Sequence, residues 1–580
     1  MGGGSTRLVG VAAAPGIARG AWARIERRPL PRGRTVGPGD EAVDREVAAL
    51  AAAAAAAESE LNALAARLTE AGHADEAGIF AASAAMAADP MLIDGATGRI
   101  RDGRVGGVDA ILAAGDEVAA ILAAVDDELI RARAADILDV ADRIARHVAG
   151  LPTDEVTLGA PAIVVAEDLP PSLTATIPKD RLLGIALAGG SPTAHAAILA
   201  RAYGIPAVVG VPGILDAVTA AGHASEVALD GSTGEVLIAP TAAEVAELDR
   251  RAARLSADRD RDLAEAALPS ATRDGTPVAL LANIGTPDEA ERAIALGARG
   301  VGLFRTEFLF LERPVAPTED EQLAAYRRVV ERFAGDPVTI RLLDVGGDKP
   351  LPYLPIPREE NPFLGVRGLR LAVDRPEVFL TQLRACMRAA AAGPVKVMAP
   401  MIADHDDVGL LVELTARARA DLAAAGVDHG EISLGVMLEV PSAILTADTW
   451  LGEVAFASLG TNDLTQYALA IDRGNPAVER YRDSLHPAVL RLVALSVESA
   501  RRTGAELSVC GEMAGDPVAA LALVGLGIRS LSMGATSLPA VRRAIRGSDL
   551  ATLEAAAAAA LVDDSARAVR ERFAALLGSA

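Results

Sequence analysis

From Pro277 onward, short apolar runs alternate with longer stretches of helical periodicity, and this alternation restricts the fold more than any other feature of the sequence. The runs fall at 278–282, 300–304, 338–343, 395–399, 434–438, 456–459 and 507–509, with a weaker one at 364–366. Apolar runs this short read as strands covered on both faces. Strands separated by helices imply parallel pairing, and eight such units over some 300 residues fit a (β/α)8 TIM barrel, whose usual length is roughly 250 residues plus insertions. The polar residues gather directly after the runs: Arg305-Thr306-Glu307, Asp344 through Lys349, Arg367, Glu439, Thr461-Asn462-Asp463 and Cys510-Gly511-Glu512. Strand ends form the catalytic face of such a barrel, so fold and chemistry point to the same place.

The chain of 580 residues is too long for one core, and its first half has a different texture. Residues 8–28 read as two strands about the Pro15-Gly16 turn, followed by a Pro/Gly/Arg-rich linker. Residues 40–150 are alanine-rich and helical, as in a bundle of helical hairpins. They carry 21 Asp and Glu against nine Arg, a net −12 out of −22 for the whole chain. Solvated helix faces account for most of these acids, and a basic protein partner is the sharper alternative. After residue 151, strand-like runs at 162–166, 182–187, 206–211 and 236–238 mark a compact α/β unit. Residues 240–268 return to a charged helical pattern, suited to a connecting helix between moving bodies.

The net charge of −22 argues against nucleic acid or an anionic membrane as partner. The longest apolar run, 47–57, is mostly alanine and followed by Glu58 and Glu60, so no membrane insertion is expected. Arg7 before the apolar stretch 8–14 imitates a secretory leader, but Pro15-Gly16 interrupts it early. Two cysteines, Cys386 and Cys510, make no disulfide framework, and the expected compartment is the cytoplasm. Lysine occurs only at 179, 349 and 396, none of them after a glycine, which excludes a Walker A phosphate loop.

His195 lies in Gly189-Gly190-Ser191-Pro192-Thr193-Ala194-His195-Ala196-Ala197-Ile198, a glycine turn leading into a helix-forming run. A neutral imidazole among small residues is a nucleophile that a phosphoryl dianion can approach, although an ordinary loop histidine fits the bare pattern equally well. In the barrel half, Glu439 and Asp463 are carboxylates from two strand ends, an arrangement suited to Mg²⁺ completed by substrate oxygens and water. Arg305, Arg341, Arg367 and Arg473 offer planar donor forks for a small anion carrying both a phosphate and a carboxylate; surface ion pairs are the plain alternative for each. Lys349 in Gly346-Gly347-Asp348-Lys349 is a point charge in an arginine-dominated chain, and Asn462 can donate to the same phosphate. Cys510 alone reads as a buried inert thiol, and beside an enolate as a proton donor. Cys386 sits in a helical stretch and reads as structural.

Together these segments resemble the Enzyme I family of the bacterial phosphotransferase system, the phosphoenolpyruvate-protein phosphotransferases, across essentially the whole chain. The resemblance rests on Gly10-Val11-Ala12-Ala13-Ala14-Pro15-Gly16-Ile17-Ala18, the His195 turn, Gly302-Leu303-Phe304-Arg305-Thr306-Glu307-Phe308-Leu309 and Asp344-Val345-Gly346-Gly347-Asp348-Lys349. It continues through Glu360-Asn361-Pro362-Phe363-Leu364-Gly365-Val366-Arg367, Gly435-Val436-Met437-Leu438-Glu439, Gly460-Thr461-Asn462-Asp463-Leu464-Thr465-Gln466-Tyr467 and Cys510-Gly511-Glu512-Met513-Ala514-Gly515. It implies a multidomain α/β protein. Residues 1–28 and 152–239 would form a swivelling phosphohistidine α/β domain, interrupted by an all-α domain at 40–150 that docks the phosphocarrier protein HPr. A linker helix at 240–270 and a TIM barrel at 271–580 that binds phosphoenolpyruvate and pairs into a homodimer would follow.

By the same resemblance His195 is the phosphorylated residue, Glu439 and Asp463 bind Mg²⁺, and Arg305, Arg341, Asn462 and Arg473 hold phosphoenolpyruvate. Cys510 is the residue that protonates enolpyruvate to pyruvate. The chain departs from the family at Pro170, where a threonine is usual, and at Ala194, Ala196 and Ala197, where hydroxyl residues often flank the histidine. That leaves Ser191 or Thr193 to orient the ring. Residues 79–83 also lack a Glu and a His common among relatives. Two rival readings are a pyruvate phosphate dikinase or phosphoenolpyruvate synthase, and a silent regulator that binds HPr. The first needs an upstream ATP-binding domain, for which residues before the α/β unit offer no glycine-rich loop; the second has little use for His195, Glu439, Asp463 and Cys510 together.

Overall fold

Around Pro15-Gly16 the chain forms four short strands, β1 (Thr6–Val9), β2 (Val11–Ala14), β3 (Ile17–Gly20) and β4 (Trp22–Arg24), one more pair than the sequence reading gives. The computed structural model describes residues 5–25, 29–70, 74–123, 128–151, 158–169, 173, 177–190, 195–311, 313, 315–346, 351, 353–357, 359–472, 478 and 481–577. All four strands pair with segments more than 130 residues later, β4 with β5 (Ala162–Ala166), β2 with β7 (Ala207–Val209), β3 with β8 (Val227–Asp230) and β1 with β9 (Glu235–Ile238), while β6 (Leu182–Leu187) lies between β5 and β7. One sheet runs β1-β9-β8-β3 and is antiparallel throughout; the other runs β2-β7-β6-β5-β4 and is parallel except for β2 against β7. Strand β8 is absent from the sequence reading because it ends in a charge. Asp230 is nevertheless buried, and Arg251 pairs with it.

Between β4 and β5 the described residues form five helices, Asp40–Glu70, Ala74–Ala87, Pro90–Gly103, Gly107–Ala123 and Glu128–Val148. Leu50, Leu61, Leu92, Ile100, Ile111 and Ile144 form their common core. Glu46 departs from the solvated pattern: it is buried, accepts the Gly107 N–H at 2.8 Å and pairs with Arg34 at 2.8 Å. By length and hydropathy alone, Asp40–Ala66 is apolar enough to cross a bilayer, a longer span than the 47–57 run noted in the sequence. In the fold its Leu50, Ala57 and Leu61 pack into the bundle core.

The chain divides into two compact units, Met1–Ala257 and Asp258–Ala580, with the division inside the helix Ala242–Ala264. The early part of this helix is fastened to the antiparallel sheet: Leu248 packs on Ala228 and Leu237, while Arg251 reaches Asp230 and Glu235.

In the second unit eight parallel strands close into a barrel: β10 (Ala279–Ile284), β11 (Val301–Phe304), β12 (Val338–Arg341), β13 (Val395–Ala399), β14 (Ile432–Leu438), β15 (Phe456–Leu459), β16 (Glu506–Val509) and β17 (Ser530–Gly534). Seven of them match the apolar runs. The expected strand at 364–366 does not exist: Pro362–Leu364 forms a 3₁₀ turn inside the long connection after β12, since Pro362 and Gly365 suit a turn rather than a ladder. The eighth strand is β17, Ser-Leu-Ser-Met-Gly, whose serines hide it from an apolar search. It pairs with β10 over five residues, from Ala279 with Ser530 to Asn283 with Gly534, and so shuts the cylinder.

Candidate active site

Five of the eight barrel strands carry the chemistry at or just beyond their last residue. Arg305 follows β11, Arg341 ends β12, Glu439 follows β14, Cys510 follows β16, and Asn462 and Asp463 open the helix Thr461–Leu469 after β15. Arg367 comes from the long connection after β12, which folds back on the mouth through Gly368 N–H to Val345 O at 3.3 Å and Leu369 N–H to Pro400 O at 3.4 Å. These seven side chains line one cavity of about 310 Å³, together with Glu307, Asp344, Glu512 and the apolar Leu303, Phe308 and Met437. Lys349 and Arg473 lie outside the described residues.

The cavity wall is an ion lattice. Arg367 grips Asp344 with two bonds, Nη2 to Oδ2 at 2.7 Å and Nε to Oδ1 at 3.1 Å, and approaches Asp463 at 3.4 Å. Arg341 pairs with Glu307 at 2.5 Å and with Asp344 at 3.2 Å, and Glu307 also accepts the Asp344 N–H at 3.1 Å. Burial works against the charge on both arginines, but the surrounding carboxylates outweigh it and hold their pKa values above the ordinary range. Glu439 is shifted the other way. Burial first, then Asp463 and Asp344, push its carboxyl well above the usual carboxylate range. Burial likewise raises the Cys510 thiol to about 11, so it stays protonated at neutral pH.

Several residues that the sequence reading passes over fix these groups. Met401 holds a left-handed backbone, φ 61°, and its N–H donates to Glu439 Oε1 at 2.7 Å. A non-glycine residue in that region is uncommon, and here the turn aims a donor at the carboxylate. Gly460 leaves room for the same side chain: a Cβ there would come within 2.7 Å of Glu439 Oε2. Behind the wall, fully buried Gln382 accepts the Leu343 N–H at 2.8 Å and donates to Thr306 and Tyr326, while Thr306 Oγ1 donates to Arg341 O at 2.9 Å.

Among the described residues no group of three or more His, Cys, Asp or Glu is set to hold a metal ion on its own. The donor set still fits a hard divalent cation that takes one or two carboxylates and completes its shell with substrate oxygens and water. Buried Glu307, Asp344, Glu439 and Asp463 outnumber buried Arg341 and Arg367, and the Arg341 Nε is buried without a partner.

In the first unit, His195 opens the helix His195–Tyr203, just beyond the end of β6 in the parallel sheet; its side chain lies outside the described residues, as do 191–194 and Pro170. Gly190, φ 85°, makes the turn, and Gly189 N–H is tied to Glu167 O at 2.8 Å. A helix start at the carboxyl end of parallel strands presents free N–H groups to an anion. Ala196 and Ala197 face the core beneath this sheet, which accounts for apolar residues beside the histidine.

Comparison with known proteins matches three family models along the chain. Residues 9–133 match the N-terminal domain of the PEP-utilising enzymes, 158–234 their mobile domain and 259–550 their PEP-binding domain. The phosphoenolpyruvate-protein phosphotransferase of Geobacillus stearothermophilus is 40% identical over 93% of this chain and 92% of its own. The chain belongs to the phosphoenolpyruvate-protein phosphotransferase family. A second phosphotransferase of this family, from Streptomyces coelicolor, is 46% identical over 86% of this chain and 87% of its own. A solution structure of an Enzyme I protein shares 30% identity over 43% of this chain and 99% of its own, with a TM-score of 0.38. Family membership favours protein phosphorylation over the dikinase and synthase alternatives.

Proposed function

We propose that this chain moves the phosphoryl group of phosphoenolpyruvate to its own His195 and then to a histidine of HPr, releasing pyruvate, as the first step of phosphotransferase-system sugar uptake. The observation that carries the reading is the cavity in which Arg305, Arg341, Glu439, Asn462, Asp463 and Cys510 from the ends of five strands converge with Arg367 from the connection after β12.

In this reading Arg305, Arg341, Arg473 and Asn462 bind the phosphate and carboxylate of phosphoenolpyruvate, with Lys349 and Arg367 adding positive charge beside them. Glu439 and Asp463 hold Mg²⁺, which when bound neutralises charge on the phosphoryl oxygens. Neutral His195 attacks phosphorus in line, and the P–O bond to the enol breaks. Cys510 then gives its thiol proton to C3 of the enolate, making the methyl of pyruvate, and recovers a proton from water. Leu303, Met398, Met437 and Phe456 around the thiol keep bulk water from that step.

Donor and acceptor cannot share one barrel mouth, so the His195 domain, residues 1–28 with 152–239, swings between the barrel at 271–580 and HPr docked on the helical domain at 40–150. The helix within 240–270 is the pivot. The barrels pair into a homodimer, and the protein works in the cytoplasm without inserting into a membrane. The test is incubation of the full chain with phosphoenolpyruvate, Mg²⁺ and HPr: phosphorylated HPr and pyruvate form in equal amounts, and pyruvate without phosphorylated HPr sinks the proposal.

A further inference from the structure

The thiol of Cys510 lies among Leu303, Met398, Met437 and Phe456, with two polar neighbours on β15, Leu459 O at 3.6 Å from Sγ and the hydroxyl of Ser458. Its direction also depends on how its own backbone is held. On the β15 side that backbone is held by Cys510 N–H to Leu459 O at 3.1 Å. On the other side the ladder between β16 and β17 consists of a single register pair, Val509 with Leu531. At that weak point a side chain takes over: Asn283 of β10 donates from Nδ2 to the Cys510 carbonyl at 2.9 Å.

Asn283 is itself oriented. Ser532 of β17, fully buried, donates from Oγ to Asn283 Oδ1 at 2.6 Å, which fixes the amide with its NH₂ toward Cys510. Room for this pair is made on β11, where Gly302 has no side chain and a Cβ would come within 2.4 Å of Ser532 Oγ. Ser532 of β17 and the space left by Gly302 of β11 thus hold Asn283 of β10 against the carbonyl of the residue that carries the thiol.

We propose that Asn283, locked by Ser532, is a positioning residue for proton transfer by Cys510, and not for phosphoryl transfer to His195. The inference rests on the reading of Cys510 as the proton donor. In the forward direction the S–H bond breaks and a C–H bond forms at C3 of the enolate, leaving a thiolate that water reprotonates. In the reverse direction the thiolate removes a proton from the pyruvate methyl, so the same geometry governs exchange of pyruvate methyl protons with solvent.

The test uses the full chain in D₂O with pyruvate and Mg²⁺, following loss of the methyl proton signal, alongside the rate of His195 phosphorylation by phosphoenolpyruvate. Asn283→Asp removes the donor at nearly constant shape and slows methyl exchange about tenfold or more, while phosphorylation stays within about threefold of the parent. Ser532→Ala frees the amide to turn over and gives the same split should Asn283→Asp fail to fold. Methyl exchange at the parental rate in these variants, or both rates falling by one common factor, overturns the proposal. Cys510→Ala separates the two layers: parental exchange in that variant refutes the thiol reading itself, whereas lost exchange there beside parental exchange in Asn283→Asp refutes only the positioning role.

Discussion

Arg367 holds Asp344 by two parallel bonds across 23 residues of sequence, and both side chains are almost completely buried at the barrel mouth. The pair fastens the far part of the long connection after β12 to its beginning, three residues past the end of the strand. Arg341 shares Asp344 from the other side, so the same carboxylate positions two guanidiniums.

Removing that carboxylate takes two bonds from Arg367 and one from Arg341, leaving Arg367 the 3.4 Å approach to Asp463 and Arg341 its pair with Glu307. Asp344→Ala is expected to cost about 3 kcal/mol in urea unfolding, because buried Arg367 loses its nearest carboxylate. The Michaelis constant for phosphoenolpyruvate should rise with it, since the forks of Arg341 and Arg367 lose their common anchor. A loss below about 1 kcal/mol would mean the pair is solvated in solution.

The barrel was legible in the sequence where apolar residues outnumber polar ones in a short run, as strands covered on both faces require. It was illegible at 530–534, where Ser532 is polar precisely to serve Asn283, and it was misread at 364–366, where Leu and Val belong to a turn. The same division holds for the site. Residues immediately after strands could be named, but Gln382 could not, since it reaches Leu343, Thr306 and Tyr326 from a helix with no local signature. Met401 offered no signal either, because its contribution is a backbone N–H.

Burial of Cys510 makes a pH prediction. With its pKa pushed up to about 11, the thiolate is about one part in a thousand at pH 8 and grows tenfold with each pH unit. In a Cys386→Ser background, iodoacetamide labelling should therefore accelerate through pH 10 and still be rising at pH 11. A plateau by pH 9 would show a thiol with an ordinary environment.

The acidic helical segment predicts salt sensitivity. Raising salt to about 0.5 M should lower kcat/KM for HPr several-fold while changing the phosphorylation of His195 by free phosphoenolpyruvate much less, since screening acts on long-range steering between proteins. Stopped-flow transfer rates across a salt series measure it, and a flat series counts against electrostatic docking.

The central claim is that one imidazole carries the phosphoryl group. Incubation with radiolabelled phosphoenolpyruvate and Mg²⁺ should leave an acid-labile, base-stable label on the protein, and His195→Ala should carry none. A label of the same stability and amount on His195→Ala would contradict the account.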